Sequence, residues 1–82
     1  MQDQRTPDLK QHDAQVEQAI LMLLLDKDEQ RPWSIRELEL EIGDRLATED
    51  SLGRLQGAGL VHRCGEFAWA TRAALRADEL AG

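Results

Sequence analysis

Thr48-Glu-Asp-Ser-Leu-Gly-Arg-Leu-Gln-Gly-Ala-Gly-Leu-Val61 is the stretch whose reading decides the fold. Leu52 and Leu55 stand one helical turn apart and mark a buried face. Gly59 occupies the position where a helix end needs a left-handed residue, and Leu60-Val61 then opens a β-branched, strand-like segment. A helix that stops at a glycine and passes directly into a strand restricts what can precede and follow it.

On its N-terminal side, Gly43 to Ala47 supplies a tight turn, and either Asp44 or Thr48 caps this helix, expected over about 46–57. Before the turn, Ser34-Ile-Arg-Glu37 is a capping box in which serine and glutamate satisfy each other's orphan backbone donors. The helix it starts ends at Gly43. Ile35, Leu38 and Ile42 form its core stripe, Glu37, Glu41 and Asp44 share the solvated side, and Leu40 lies off the stripe. Pro32 stops any earlier helix and pushes Arg31 toward an extended conformation. Trp33, between the two, is expected to be a very short strand or an anchor under the core, and Asp26 to Arg31 is a charged loop.

Ala14 to Leu25 carries Val16, Ile20, Leu23 and Leu24 on one helical face, which is assigned to the core. Thr6-Pro7-Asp8 and Asp13 are rival starts for this helix, at about 7 or 14. Met1 to Arg5 has nothing to bury and is read as a frayed end, leaving 6–82 as a single domain. Leu21 and Leu25 align instead with Ala14 and Gln18 as a second apolar stripe. Either later elements wrap around that stripe, or it is a self-association surface.

On the C-terminal side, Leu60 to Arg63 and Glu66 to Ala70 read as two strands joined through Cys64-Gly65, a wing over 60–70. Cys-Gly is not a preferred two-residue turn, so a loop one or two residues longer is also open. Phe67 and Trp69 alternate with Ala68 and Ala70, making one strand face aromatic and the other small. Core packing with Trp33 is the expected use of the aromatic face; exposed, it would be a protein-binding patch. Thr71 is a natural N-cap for a last helix, Arg72 to Leu80. The fold class is mainly α with a small β-hairpin (α+β), in the order α1-(β1)-α2-α3-β2-β3-α4.

Composition narrows the function classes. Eighty-two residues make one domain, and 16 acids against 10 bases give a net charge of −6, so any surface for phosphate or anionic lipid must be local. The one cysteine, Cys64, allows no internal disulfide and suits a reducing cytoplasm, the expected location. Ala19 to Leu25, the longest apolar run, is far shorter than a membrane span. His62 and Cys64, with His12 distant, lack the spacing of a zinc site, and no nucleophile, base and orienting acid form a set. No enzyme, cofactor or metal is expected.

The element order, with Leu38, Gly43, Leu52, Leu55, Gly59, Leu60, Val61 and Thr71 at its structural positions, resembles the winged helix-turn-helix domains of small bacterial transcription regulators of the multiple-antibiotic-resistance and arsenic-repressor types. The resemblance covers about Ala14 to Leu80. It implies a DNA-binding regulator whose third helix enters the major groove, and a homodimer associated through the first helix, with Ala14, Gln18, Leu21 and Leu25 at the interface and the last helix as a further candidate. On the matching positions Arg54 would pair with guanine or phosphate, Ser51 and Thr48 would reach bases or backbone, and Arg45 and Arg63 would support them. Arg72 and Arg76 share a face of the last helix and would add phosphate contacts if the fold gathers them.

This sequence departs from the family pattern in two places. The wing has no basic cluster, only Arg63, and the third helix shows Ala47, Asp50, Gly53 and Gly57 beside Arg54. Glu49 and Asp50 would accept from cytosine amines, but acids in a first turn stabilise the helix through its dipole without any ligand. Gly53 and Gly57 weaken a helix and leave a smooth surface that a close-approaching backbone would use. The alternative function is therefore a winged helix that binds another protein, through helix 3 or the wing, and does not bind DNA.

Overall fold

A computed structural model describes residues 5–26, 28 and 30–81, with side chains from residue 12 onward. The elements are α1 (Arg5–Leu24), β1 (Trp33–Ser34), α2 (Ile35–Ile42), α3 (Arg45–Gly57), β2 (Val61–Cys64), β3 (Phe67–Ala70) and α4 (Arg72–Ala81). The chain is mainly helical with a three-stranded antiparallel sheet ordered β1-β3-β2, a winged-helix-like arrangement in the element order expected from the sequence. α1 is already helical at Arg5, ahead of both expected starts, and the remainder of the expected frayed end, 1–4, lies outside the described residues.

Local chemistry sets the helix limits. Ser34 Oγ accepts from the Glu37 amide at 3.0 Å while Glu37 Oε1 accepts from the Ser34 amide at 2.9 Å, so the capping box opens α2. Gly43, at φ 81°, closes α2 with its amide on the Glu39 carbonyl. Asp44, not Thr48, caps α3: its Oδ1 accepts from the Ala47 amide at 3.0 Å. At the far end the Gly59 amide donates to the Gln56 carbonyl and the Leu60 amide to the Leu55 carbonyl, both at 3.0 Å. That bond pair is a Schellman motif with Gly59, φ 79°, as its left-handed residue. The motif aims the chain from α3 straight into β2.

The core joins Val16, Ile20 and Leu24 of α1 to Trp33, Ile35, Leu38, Leu52, Leu55, Val61 and Ala68. Leu21 and Leu23 are half-buried and pack against this cluster. The second stripe of α1 is thus partly absorbed: Leu21 and Leu25 are half-buried, while Ala14 and Gln18 face solvent.

The hairpin and its faces differ from expectation. The turn is Gly65-Glu66 rather than Cys64-Gly65, with Cys64 paired to Phe67. Gly65 has φ 59° and no other residue of the turn is positive, the sign pattern of a type II′ turn with glycine first. The aromatic face of β3 points away from the core, correcting the expected packing of Phe67 and Trp69 against Trp33. Register gives the reason. Trp33 pairs with Ala68, so the large indole and the small methyl share the inner face, and strand alternation sends Phe67 and Trp69 outward.

At the base of the wing, Thr71 Oγ1 donates to the Gly59 carbonyl at 2.7 Å and accepts from the Ala74 amide at 3.1 Å, capping α4. Ala74 is buried and Leu75 half-buried; from Arg76 to Ala81 the helix is exposed. No helix among the described residues is long and apolar enough to cross a membrane.

Candidate functional site

The five residues expected to touch nucleic acid have separate fates. Thr48 and Ser51 are both 0% exposed. They share the i, i+3, i+4, i+7 stripe of Leu52 and Leu55, so α3 turns them inward with the leucines. Thr48 Oγ1 donates to the Asp44 carbonyl at 2.8 Å and Ser51 Oγ accepts from Arg54 Nη2 at 3.0 Å. Both hydroxyls are satisfied inside the molecule and cannot reach a groove, which corrects their assignment as base contacts.

Arg54 is exposed but committed. Its Nε donates to Glu17 Oε2 on α1, and its Nη2 lies 3.8 Å from Asp13 Oδ1. The hydrogen bond to Glu17, with the added charges of Glu17, Asp13 and Asp50, raises the guanidinium above its usual pKa. The one arginine of α3 beyond its first residue is thus drawn toward α1. Arg63 is held too: Nη2 stands 3.1 Å from Glu49 Oε1. Because α3 starts at Arg45 behind the Asp44 cap, Glu49 and Asp50 lie past its first turn, which corrects their reading as first-turn acids that complement the helix dipole. Only Arg45 projects freely, with an 83% exposed side chain whose Nε is 4.0 Å from Glu39. The outward stripe of α3 is Leu46, Asp50, Gly53 and Gly57, all exposed.

Between α2, the start of α3 and the wing turn lies a shallow groove of about 700 Å³. It gathers Arg36, Arg45 and Arg63, but also Glu39, Glu49 and Glu66. Arginines and carboxylates are equal in number there, so the groove offers little net attraction to a polyanion. Arg72 and Arg76 are exposed on α4 and are not part of it.

The opposite side of the sheet has a different chemistry. Phe67 is 51% exposed, and Trp69 is half-buried with its ring centroid 5.8 Å from that of His62. Pro32, Cys64, Phe67 and Trp69 line an apolar depression of about 270 Å³. Pro32 and Trp69 also border a neighbouring cleft of about 260 Å³ that continues to Leu24, Ala70 and Leu75. Arg31 sits on its rim with its guanidinium carbon 4.4 Å from the Trp33 ring centroid, paired to Glu37 at 3.1 Å. Alternation in β3 had exposed this face as a possibility; the part of Pro32, Leu24 and Leu75 had no local signal.

His62 and Cys64 lie on this outer face, and among the described residues no group of three or more His, Cys, Asp or Glu side chains is arranged to hold a metal ion. Compared with protein-family models, with curated proteins and with solved structures, the chain matches none.

Proposed function

We propose that this chain is a winged-helix-like module that binds another protein. The observation that carries this reading is the commitment of the groove-reading residues: Thr48 and Ser51 are buried, Arg54 is bound to Glu17, and Arg63 to Glu49. A helix in the recognition position whose one free arginine is Arg45, at its first residue, has little with which to read bases. The exposed aromatic face of β3 is, in contrast, the kind of surface that marks protein association.

A second reading remains the DNA-binding regulator of a bacterial cytoplasm, a homodimer joined through Ala14, Gln18, Leu21 and Leu25. Arg45 and Arg36 favour it, both exposed and both lining the groove between α2, α3 and the wing turn. A dimer would double those contacts and read half-sites about one helical turn apart. Neither reading involves catalysis or a cofactor.

Titration with duplex DNA at two salt concentrations separates the two. The interaction module gives no binding that depends on salt. An affinity that falls steeply with salt, and falls again on Arg45→Ala and Arg54→Ala, overturns it in favour of the regulator.

A further inference from the structure

We propose that the outer face of the sheet, from Phe67 through Trp69 and Pro32 to the Leu24–Leu75 cleft, docks a cationic amphipathic segment of another protein. Aliphatic side chains of that segment would seat against Phe67 and Trp69, with lysines or arginines over the surrounding carboxylates. The inference rests on the interaction-module reading and adds to it a place and a partner chemistry.

The apolar part of the surface follows from the register. Trp33 and Ala68 take the inner face, so both aromatic side chains of β3 are left outside, where they adjoin two apolar depressions that share Pro32 and Trp69. Each depression, at about 260–270 Å³, falls just under the roughly 300 Å³ at which pockets for drug-sized ligands begin. Neighbouring seats of this size suit successive side chains of a peptide better than one small molecule. Seats formed by an aromatic pair and a proline are where a few anchors carry an interface.

The charge of the border selects the partner. Asp26 and Asp28 follow Leu24 in the chain, and Asp78 and Glu79 flank the Leu75 face of α4. All four are exposed, and none is in an ion pair among the described residues. Among the described residues Arg31 is engaged by Glu37, which leaves Arg72 and Arg76 of α4 as the cations against them. The border is therefore acidic, as is the chain as a whole at −6. A second copy would bring the same charge to the same face, so charge complementarity favours a basic partner over self-association.

The experiment titrates the full chain against a fluorescein-labelled Leu/Lys amphipathic helix of about 14 residues, four turns, and against its Leu/Glu counterpart, reading anisotropy. The expected result is saturable binding of the Leu/Lys peptide only, weakened by about tenfold on Phe67→Ser, the scale of losing one anchor. Glu79→Lys, at a fully solvated position of α4, should weaken it as well, and circular dichroism identical to wild type shows both variants folded. Equal affinity of wild type and both variants overturns the proposal, as does no binding up to about 1 mM. Binding lost on Leu46→Ser in α3 instead overturns the placement while leaving an interaction module. Salt-dependent duplex binding in a parallel titration, without peptide binding, overturns both.

Discussion

Arg54 shows how one side chain can lose a role to its neighbours. Its position on α3 is that of a groove contact, but Glu17, one element away, takes the guanidinium first. An arginine already hydrogen-bonded to a carboxylate must give that partner up before it meets a phosphate, so its contribution to any polyanion is reduced. Gly53, one residue before it, is simpler. A Cβ built there meets nothing within 4 Å, and its backbone is ordinary helix. Gly53→Ala should therefore raise stability by about 0.5–1 kcal/mol, seen as a higher urea midpoint at unchanged slope. Gly59→Ala, also into open space but at φ 79°, should lower the midpoint, because left-handed backbone penalises a Cβ. Opposite signs for two glycines six positions apart would separate tolerance from requirement.

At the scale of elements, α2 carries a pH signature. Glu37 is held below its usual pKa, first by the backbone amide of Ser34 and then by the Arg31 guanidinium. A carboxylate with a depressed folded pKa stabilises the fold above its unfolded value and loses that stabilisation as pH falls through the folded one. Acid should thus loosen the start of α2, and Glu37→Gln should flatten the acidic limb of the stability–pH curve. An unchanged acidic limb would show that the box acts through its hydroxyl alone. The capping box was legible because its parts lie three residues apart; so were the Gly43 and Gly59 helix ends, for the same reason. Features set by distant pairing were not. The outward turn of Phe67 and Trp69 depends on Trp33 meeting Ala68, and the capture of Arg54 on a carboxylate 37 residues away. The rotation of α3 was half legible. Leu52 and Leu55 marked its buried face, but that face is wide enough to include Thr48 and Ser51, whose hydroxyls find partners within the helix and its cap.

Taken as a whole, the molecule has unlike sides: a groove in which arginines and glutamates cancel, and a sheet face that is apolar. A helix-1 homodimer would have to use what the core leaves of the second α1 stripe, chiefly Ala14 and Gln18, because Leu21 already packs inward. Wild type and Ala14→Glu are therefore expected to sediment alike, as monomers at micromolar concentration. A dimer that Ala14→Glu dissociates would restore the stripe as an interface and strengthen the regulator reading.

The Thr71 hydroxyl has a consequence for how the chain breathes. It is bonded at once to the Gly59 carbonyl, where α3 hands over to the wing, and to the Ala74 amide, where α4 begins. Beyond Ala74 and Leu75 little else of α4 is covered, so this hydroxyl fastens a helix that would not persist alone. Thr71→Val keeps the shape and removes both bonds. Amide exchange should then accelerate from Ala74 to Ala81 while the amides of Ile20, Leu38 and Leu52 keep their protection, marking α4 as a unit that opens without global unfolding. Because Leu75 forms one wall of the cleft and Asp78 and Glu79 part of its border, each such opening would dismantle one side of the proposed docking surface and leave the sheet intact.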